Sequence, residues 1–155
     1  MDKLKRVKNE LTEVAHKSYL RGLQTGNGGN LSARVPGEEI MIIKASGYSF
    51  ADCSSDSWII TDLDGNVLEG NRGPSREYPV HALIYKKCSE INCVIHVHSP
   101  FGIAIAEICE HKVPEVAYHS RLKLGSSIPI LKIDAPNIEG NNLNLVESLF
   151  NNYPS

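Results

Sequence analysis

Ile91-Asn92-Cys93-Val94-Ile95-His96-Val97-His98-Ser99-Pro100 is the stretch on which the reading of this chain turns. Its apolar run reads as a buried β-strand. Ser99-Pro100 then reads as the start of a helix, with serine as N-cap and proline at the first helical position. Side chains alternate across a strand, so His96 and His98 point to one face. Two imidazoles on one face at the C-terminal end of a strand suit a catalytic metal ion, and Glu77 upstream is the candidate third ligand. A divalent ion so held would polarise a carbonyl and stabilise an enediolate. The competing reading makes the histidines strand-end residues satisfied by backbone groups. In that reading Glu77 is a first-turn helix acid favoured by the helix dipole.

The elements around this stretch follow from periodicity and turn chemistry. Before it, residues 76–87 form a helix with Ser75 as cap and with Tyr78, Leu83, Ile84 and Tyr85 on or near its inner face. His81 lies one turn after Glu77 on that helix and is expected to be a buried, hydrogen-bonded histidine. Asp62-Leu63-Asp64-Gly65 joins strands at 58–61 and 66–68 as a hairpin. A second hairpin pairs strands 31–35 and 40–44 through Pro36-Gly37-Glu38-Glu39. Val7, Leu11, Val14, Ala15, Tyr19 and Leu23 recur at helical spacing, so residues 3–23 form an amphipathic helix that stops at Thr25-Gly26-Asn27-Gly28-Gly29-Asn30. After Pro100 come an apolar helix through 109, a strand at 128–133 and a short helix at 143–150. Helices bracketing a mostly antiparallel sheet place the chain in the α/β class.

Composition narrows the function classes. At 155 residues, the chain is long enough for one domain with a sizeable core. A formal charge of -2 leaves no basic face for nucleic acid. No run of apolar residues is long enough to span a membrane. The charged start Met1-Asp2-Lys3-Leu4-Lys5-Arg6-Val7-Lys8 does not read as a signal peptide. Cys53, Cys88, Cys93 and Cys109 form no C-x-x-C pair and read as reduced, mostly buried thiols of a cytoplasmic protein. Three loop segments suit a phosphate. Gly26-Asn27-Gly28-Gly29-Asn30 can converge backbone N–H groups, and Ser46-Gly47 and Ser75-Arg76 can add hydroxyl and guanidinium contacts. Taken alone, each of them is explained better by plain turn and cap chemistry. Tyr118 or His119 could reach a site as a proton donor, although a loop tyrosine is more often an amphipathic packing residue.

Together these segments resemble the class II aldolase/adducin family. The matching stretches are 25–32 (Thr25-Gly26-Asn27-Gly28-Gly29-Asn30-Leu31-Ser32), 43–47, 74–77, 81–85 and 94–100, in order and over nearly the whole chain. The resemblance implies a three-layer α/β/α fold with a mainly antiparallel central sheet, and a homo-oligomer, usually a four-fold tetramer with active sites at subunit interfaces. By position, His96 and His98 look like metal-binding histidines, with Zn2+ as the expected ion. Glu77 looks like the carboxylate that ligates the metal or serves as base. Asn30, Ser46, Gly47 and Ser75 look like phosphate-binding groups, and Asn27 and Gly28 belong to the same loop. Tyr118 falls near the tyrosine that protonates the leaving aldehyde oxygen in aldolase members.

Two departures from the family pattern stand out. Arg76 replaces a small polar residue, and a cation there would favour a carboxylated sugar phosphate, as in decarboxylase-like members. The family usually supplies a third metal histidine from a His-Gly pair beyond the helix at 143–152, whereas this sequence stops at Asn151-Asn152-Tyr153-Pro154-Ser155. The expectation is a single domain over 1–155 that lacks the family's C-terminal strand and helices. The expected activity is aldol cleavage of a small phosphorylated sugar through a metal-stabilised enediolate. The alternatives are a related epimerase, decarboxylase or dehydratase, or a catalytically silent adducin-like binding or assembly module.

Overall fold

Met41, Ile42 and Ile43 are consecutive, and all three are fully buried. Neighbouring side chains of a strand point to opposite faces, so this strand must be covered on both. It is β2 (Ile40–Lys44), the middle of a five-stranded sheet. Ile42 joins Leu31, Val35, Phe50, Trp58 and Ile60 beneath α1 (Lys3–Leu20), which contributes Leu11 and Ala15. Met41 and Ile43 face the other way and pack with Ile59, Leu63, Ala82 and Tyr85, the last two from α2 (Tyr78–Lys87). Helix, sheet and helix make the three layers. The structure is a computed structural model, which describes residues 3–114, 121–122, 124–125, 128–133, 138 and 141–152.

With β1 (Asn30–Arg34), β3 (Trp58–Asp62), β4 (Val67–Glu69) and β5 (Cys93–His96), the sheet order is β4-β3-β2-β1-β5. Every neighbouring pair is antiparallel. The mainly antiparallel layered α/β fold expected from the sequence is therefore present. Register sets the site: Asn30, the first residue of β1, stands opposite His96, the last of β5. After Lys44 ends β2, the chain doubles against the 73–75 loop. Ser46 N–H donates to the Gly73 carbonyl at 3.0 Å, and Ser75 N–H donates to the Lys44 carbonyl at 3.0 Å.

Several sequence expectations are corrected. β5 is not a buried strand but, among the described residues, an edge strand paired only with β1. Val94 packs against the α2-side core, while Ile95, on the other face, is 44% exposed and Cys93 is exposed as well. Only Cys53 and Cys88 are buried. The first helix ends at Leu20 rather than 23, because Gly22 N–H and Leu23 N–H turn back to the Tyr19 and Ser18 carbonyls and close it. α2 begins at Tyr78, not Arg76, and Glu77 rather than Ser75 holds the N-cap position. Its carboxylate caps nothing, being drawn into the site described below.

After β5, Ser99 caps α3 (Pro100–Ile108) as expected, its Oγ accepting from Gly102 N–H. No residue of α3 is buried, and Phe101 is 88% exposed. The expected strand at 128–133 is shortened to β7 (Ile128–Pro129), paired with an unforeseen β6 (Lys112–Val113). The last helix, α4 (Asn141–Asn152), is longer than the 143–150 expected and is tied to α2 by the Lys87–Glu147 ion pair at 2.5 Å. Among the described residues no helix is long and apolar enough to cross a membrane.

Candidate active site

A cavity of about 340 Å³ opens where β1 begins and β2 and β5 end. The sheet register brings Asn30 and His96 to this edge, and the 73–75 loop adds Ser75 and Glu77 from the start of α2. Nine residues singled out from the sequence line it: Asn27, Gly28 and Asn30 from the glycine loop, Ser46, Gly47 and Ser75 from the crossing loops, and Glu77, His96 and His98. Arg76 is exposed and is not among the lining residues. Tyr118 and His119 lie outside the described residues.

The glycine loop fits against the histidines because it lacks side chains there. A Cβ on Gly28 would lie 3.0 Å from His98 Nδ1. Gly29 has φ +67°, and a Cβ on it would lie 2.5 Å from Gln24 Oε1 and 2.7 Å from the His96 carbonyl oxygen. Gly29→Ala therefore combines left-handed strain with a clash on backbone. It should lower stability by about 1–3 kcal/mol in urea denaturation. An unchanged midpoint would contradict this packing.

Sequence reasoning missed two residues of the site. Gln24 is fully enclosed; its Oε1 accepts from His98 N–H at 2.8 Å, and its Nε2 donates to the Thr25 carbonyl at 2.8 Å. It fixes the chain at His98 just past the end of β5. Nothing in the local pattern marks it, since it reads as one more polar residue at a helix end. Lys44 lines the cavity although its residue is only 2% exposed. Its ammonium donates to the Tyr48 carbonyl at 2.5 Å, and burial pulls its pKa below the ordinary lysine value. In the sequence it is masked as the end of an apolar strand.

Glu77 Oε2 carries two contacts. Asn30 Nδ2 donates to it at 2.6 Å, and His96 Nδ1 makes a short hydrogen bond to the same oxygen. A carboxylate can only accept, so His96 Nδ1 is the donor in that bond, and Nε2 is the ring nitrogen outside it. Burial alone would raise the Glu77 pKa. The hydrogen bonds from His96 and Asn30, with the nearby imidazoles of His96 and His81, outweigh it, and the pKa falls below the ordinary carboxylate value.

The His96 and His98 ring centroids are 4.8 Å apart, with the planes tilted by 59°. Two imidazoles on one zinc at the usual bond length place their centroids roughly 5 Å apart, so the pair suits a shared divalent ion. Glu77 bonds to His96 through Nδ1, the arrangement by which a carboxylate orients an imidazole ring. Among the described residues, no group of three or more His, Cys, Asp or Glu side chains is arranged to hold a metal.

Comparison with known proteins gives the family. Residues 9–152 match the family model of the Class II Aldolase and Adducin N-terminal domain. The chain is 33% identical over 115 residues to 5-deoxy-D-ribulose 1-phosphate aldolase of Bacillus thuringiensis serovar kurstaki, covering 74% of this chain and 54% of that protein. It is 36% identical over 104 residues to a probable L-ribulose-5-phosphate 4-epimerase of Mycoplasma pneumoniae, covering 64% and 43%. The chain thus spans about half the length of the curated relatives it matches. The fold is shared with L-fuculose-1-phosphate aldolase of Thermus thermophilus, with a TM-score of 0.74 at 23% identity, covering 93% of this chain and 70% of that one. With the layered sheet, the converging loops and a family match over nearly its full length, this chain belongs to the class II aldolase and adducin N-terminal domain family.

Proposed function

We propose that this site binds a small phosphorylated ketose and breaks a carbon–carbon bond in it by aldol cleavage. The observation that carries the reading is convergence. Glu77, His96 and His98 share one cavity with the glycine loop, Ser46, Ser75 and Lys44. Backbone N–H groups of a glycine loop, two hydroxyls and a buried ammonium are suited to a phosphate. The imidazole pair would hold a divalent ion, zinc by its donor chemistry. That ion would supply positive charge to the substrate's carbonyl oxygen.

Glu77 does the proton work in this reading. Its depressed pKa keeps it ionised near neutrality, and both contacts on Oε2 leave Oε1 outside those bonds. In condensation its carboxylate removes the proton from the carbon that forms the new bond, and Tyr118 is proposed to donate a proton to the aldehyde oxygen. In cleavage both transfers run in reverse: the substrate hydroxyl gives its proton to the Tyr118 oxygen, and the Glu77 carboxyl, protonated for that step, delivers one to the carbon left by the broken bond. The exposed apolar residues Phe101, Ile103 and Ile108 of α3 support self-association, as a tetramer by family resemblance.

Calorimetric titration of the full chain tests the binding half of this reading. With zinc present, a ketose 1-phosphate should bind about 100-fold more tightly than the same sugar without phosphate, given the worth of charge-assisted hydrogen bonds. Equal affinity for the two would contradict the phosphate assignment. Tight binding with no turnover would favour the silent binding module.

A further inference from the structure

Behind Glu77 runs a line of hydrogen-bonded side chains that starts at Asn30 on the cavity wall and ends at Tyr85 in the α2-side core. Tyr85 Oη lies 2.6 Å from Ser32 Oγ, and Ser32 Oγ lies 2.7 Å from His81 Nδ1. His81 Nε2 makes a short hydrogen bond to Asn30 Oδ1, and Asn30 Nδ2 reaches Glu77 Oε2 at 2.6 Å. Asn30, Ser32, His81 and Tyr85 are all buried between the sheet and α2, His81 to 1%.

The direction of every bond follows from one end. Glu77 as a carboxylate has no proton to give, so the Asn30 amide must turn its Nδ2 toward it and its Oδ1 toward His81. Asn30 Oδ1 can only accept, so His81 must carry its proton on Nε2. His81 Nδ1 is then an acceptor and takes the Ser32 hydroxyl proton. Ser32 Oγ in turn accepts from the Tyr85 hydroxyl, which itself receives the Val94 backbone N–H. All the links donate toward Glu77, and none is interchangeable.

Stability alone does not call for such a chain. Apolar side chains of similar volume would fill a helix–sheet contact at least as favourably as four buried polar ones. What the polar chain adds is a defined orientation at its end. An amide can flip, and a flipped Asn30 would set its oxygen against the carboxylate. His81, locked in one tautomer by Ser32, forbids the flip.

We propose that Tyr85, Ser32 and His81 are positioning residues that lock the Asn30 amide and thereby hold Glu77 in its reactive place. The role rests on the proton-transfer assignment of Glu77 above. Burial keeps His81 neutral, with its pKa lowered to about 4, as an acceptor at Nδ1 requires.

Nitrogen-15 NMR of the full wild-type chain near neutral pH reads the His81 tautomer with no substrate present. Kinetics of cleavage on a ketose 1-phosphate then read its consequence. The expected result is a neutral His81 with the proton on Nε2. His81→Leu should lower kcat by about 10–100-fold, the usual cost of losing such a supporting contact. KM should stay within about 3-fold, because Ser46, Ser75 and Lys44 are untouched, and His81→Gln, which keeps a donor toward Asn30, should recover most of the loss. A His81 proton on Nδ1, a cationic His81, or a His81→Leu protein with unchanged kcat would overturn the proposal. If His81→Leu does not fold, the wild-type tautomer still decides the chain. If wild-type protein turns over no sugar phosphate, the functional reading fails while the tautomer remains measurable.

Discussion

Glu77→Gln should retain the fold and lower the rate of ketose-phosphate cleavage by about 10²–10⁴-fold, the range a positioned proton-transfer group contributes. Glutamine keeps the shape of the side chain and an oxygen that can accept from Asn30 Nδ2. It removes the charge and the ability to take a proton. Glu77 sits at the N-cap position of α2 without capping it, so no helix bond is lost by the change. Steady-state kinetics beside a thermal melt separate the two effects. Wild-type turnover in the variant would remove Glu77 from the chemistry, and a collapsed melt would make it a structural residue.

A loss of stability of about 2–3 kcal/mol between pH 7 and pH 4.5 should be traceable to His81 alone. Burial, and then the nearby His96 imidazole, lowers its pKa from 6.5 to about 4, against a smaller opposing pull from Glu77. The folded protein therefore resists the proton that the unfolded chain accepts. Between pH 6.5 and about 4 the unfolded state binds more protons, so stability falls as pH falls through that window. Glu77 acts in the same sense at lower pH. Its lowered pKa makes a stabilisation that is full above the ordinary carboxylate value and lost as pH falls through the folded one. Urea denaturation of wild type and His81→Gln at the two pH values isolates the His81 share. The variant should lose about 2–3 kcal/mol less than wild type, and equal losses would mean that His81 is not held neutral by the fold.

The antiparallel layers were legible in the sequence because their signals are local. The apolar run through Met41, Ile42 and Ile43, the turn at Asp62-Leu63-Asp64-Gly65 and the Ser99-Pro100 helix start each depend on a few neighbouring residues. The burial of β5 was misjudged because Val94 and Ile95 are equally apolar. Only the sheet order shows that, among the described residues, the strand has a single neighbour. Most of the candidate site was legible too, as glycines, hydroxyls and histidines at chain positions that the fold brings together. Its supporting contacts were not. Gln24 reaches His98 across 74 positions, and Ser32 reaches His81 across 49. No spacing rule spans such distances, and each of these residues alone looks ordinary. Glu77 shows the same limit. The sequence left it as ligand or base, and its bond to His96 depends on how α2 enters from the 73–75 loop.

The most direct test of the functional reading is a cleavage assay of the full chain, supplied with zinc, on a panel of ketose 1-phosphates, with release of the aldehyde followed in time. Zinc-dependent cleavage of at least one member is expected, lost in a His96→Ala protein that keeps its fold. Bound zinc with no cleavage of any member would contradict it.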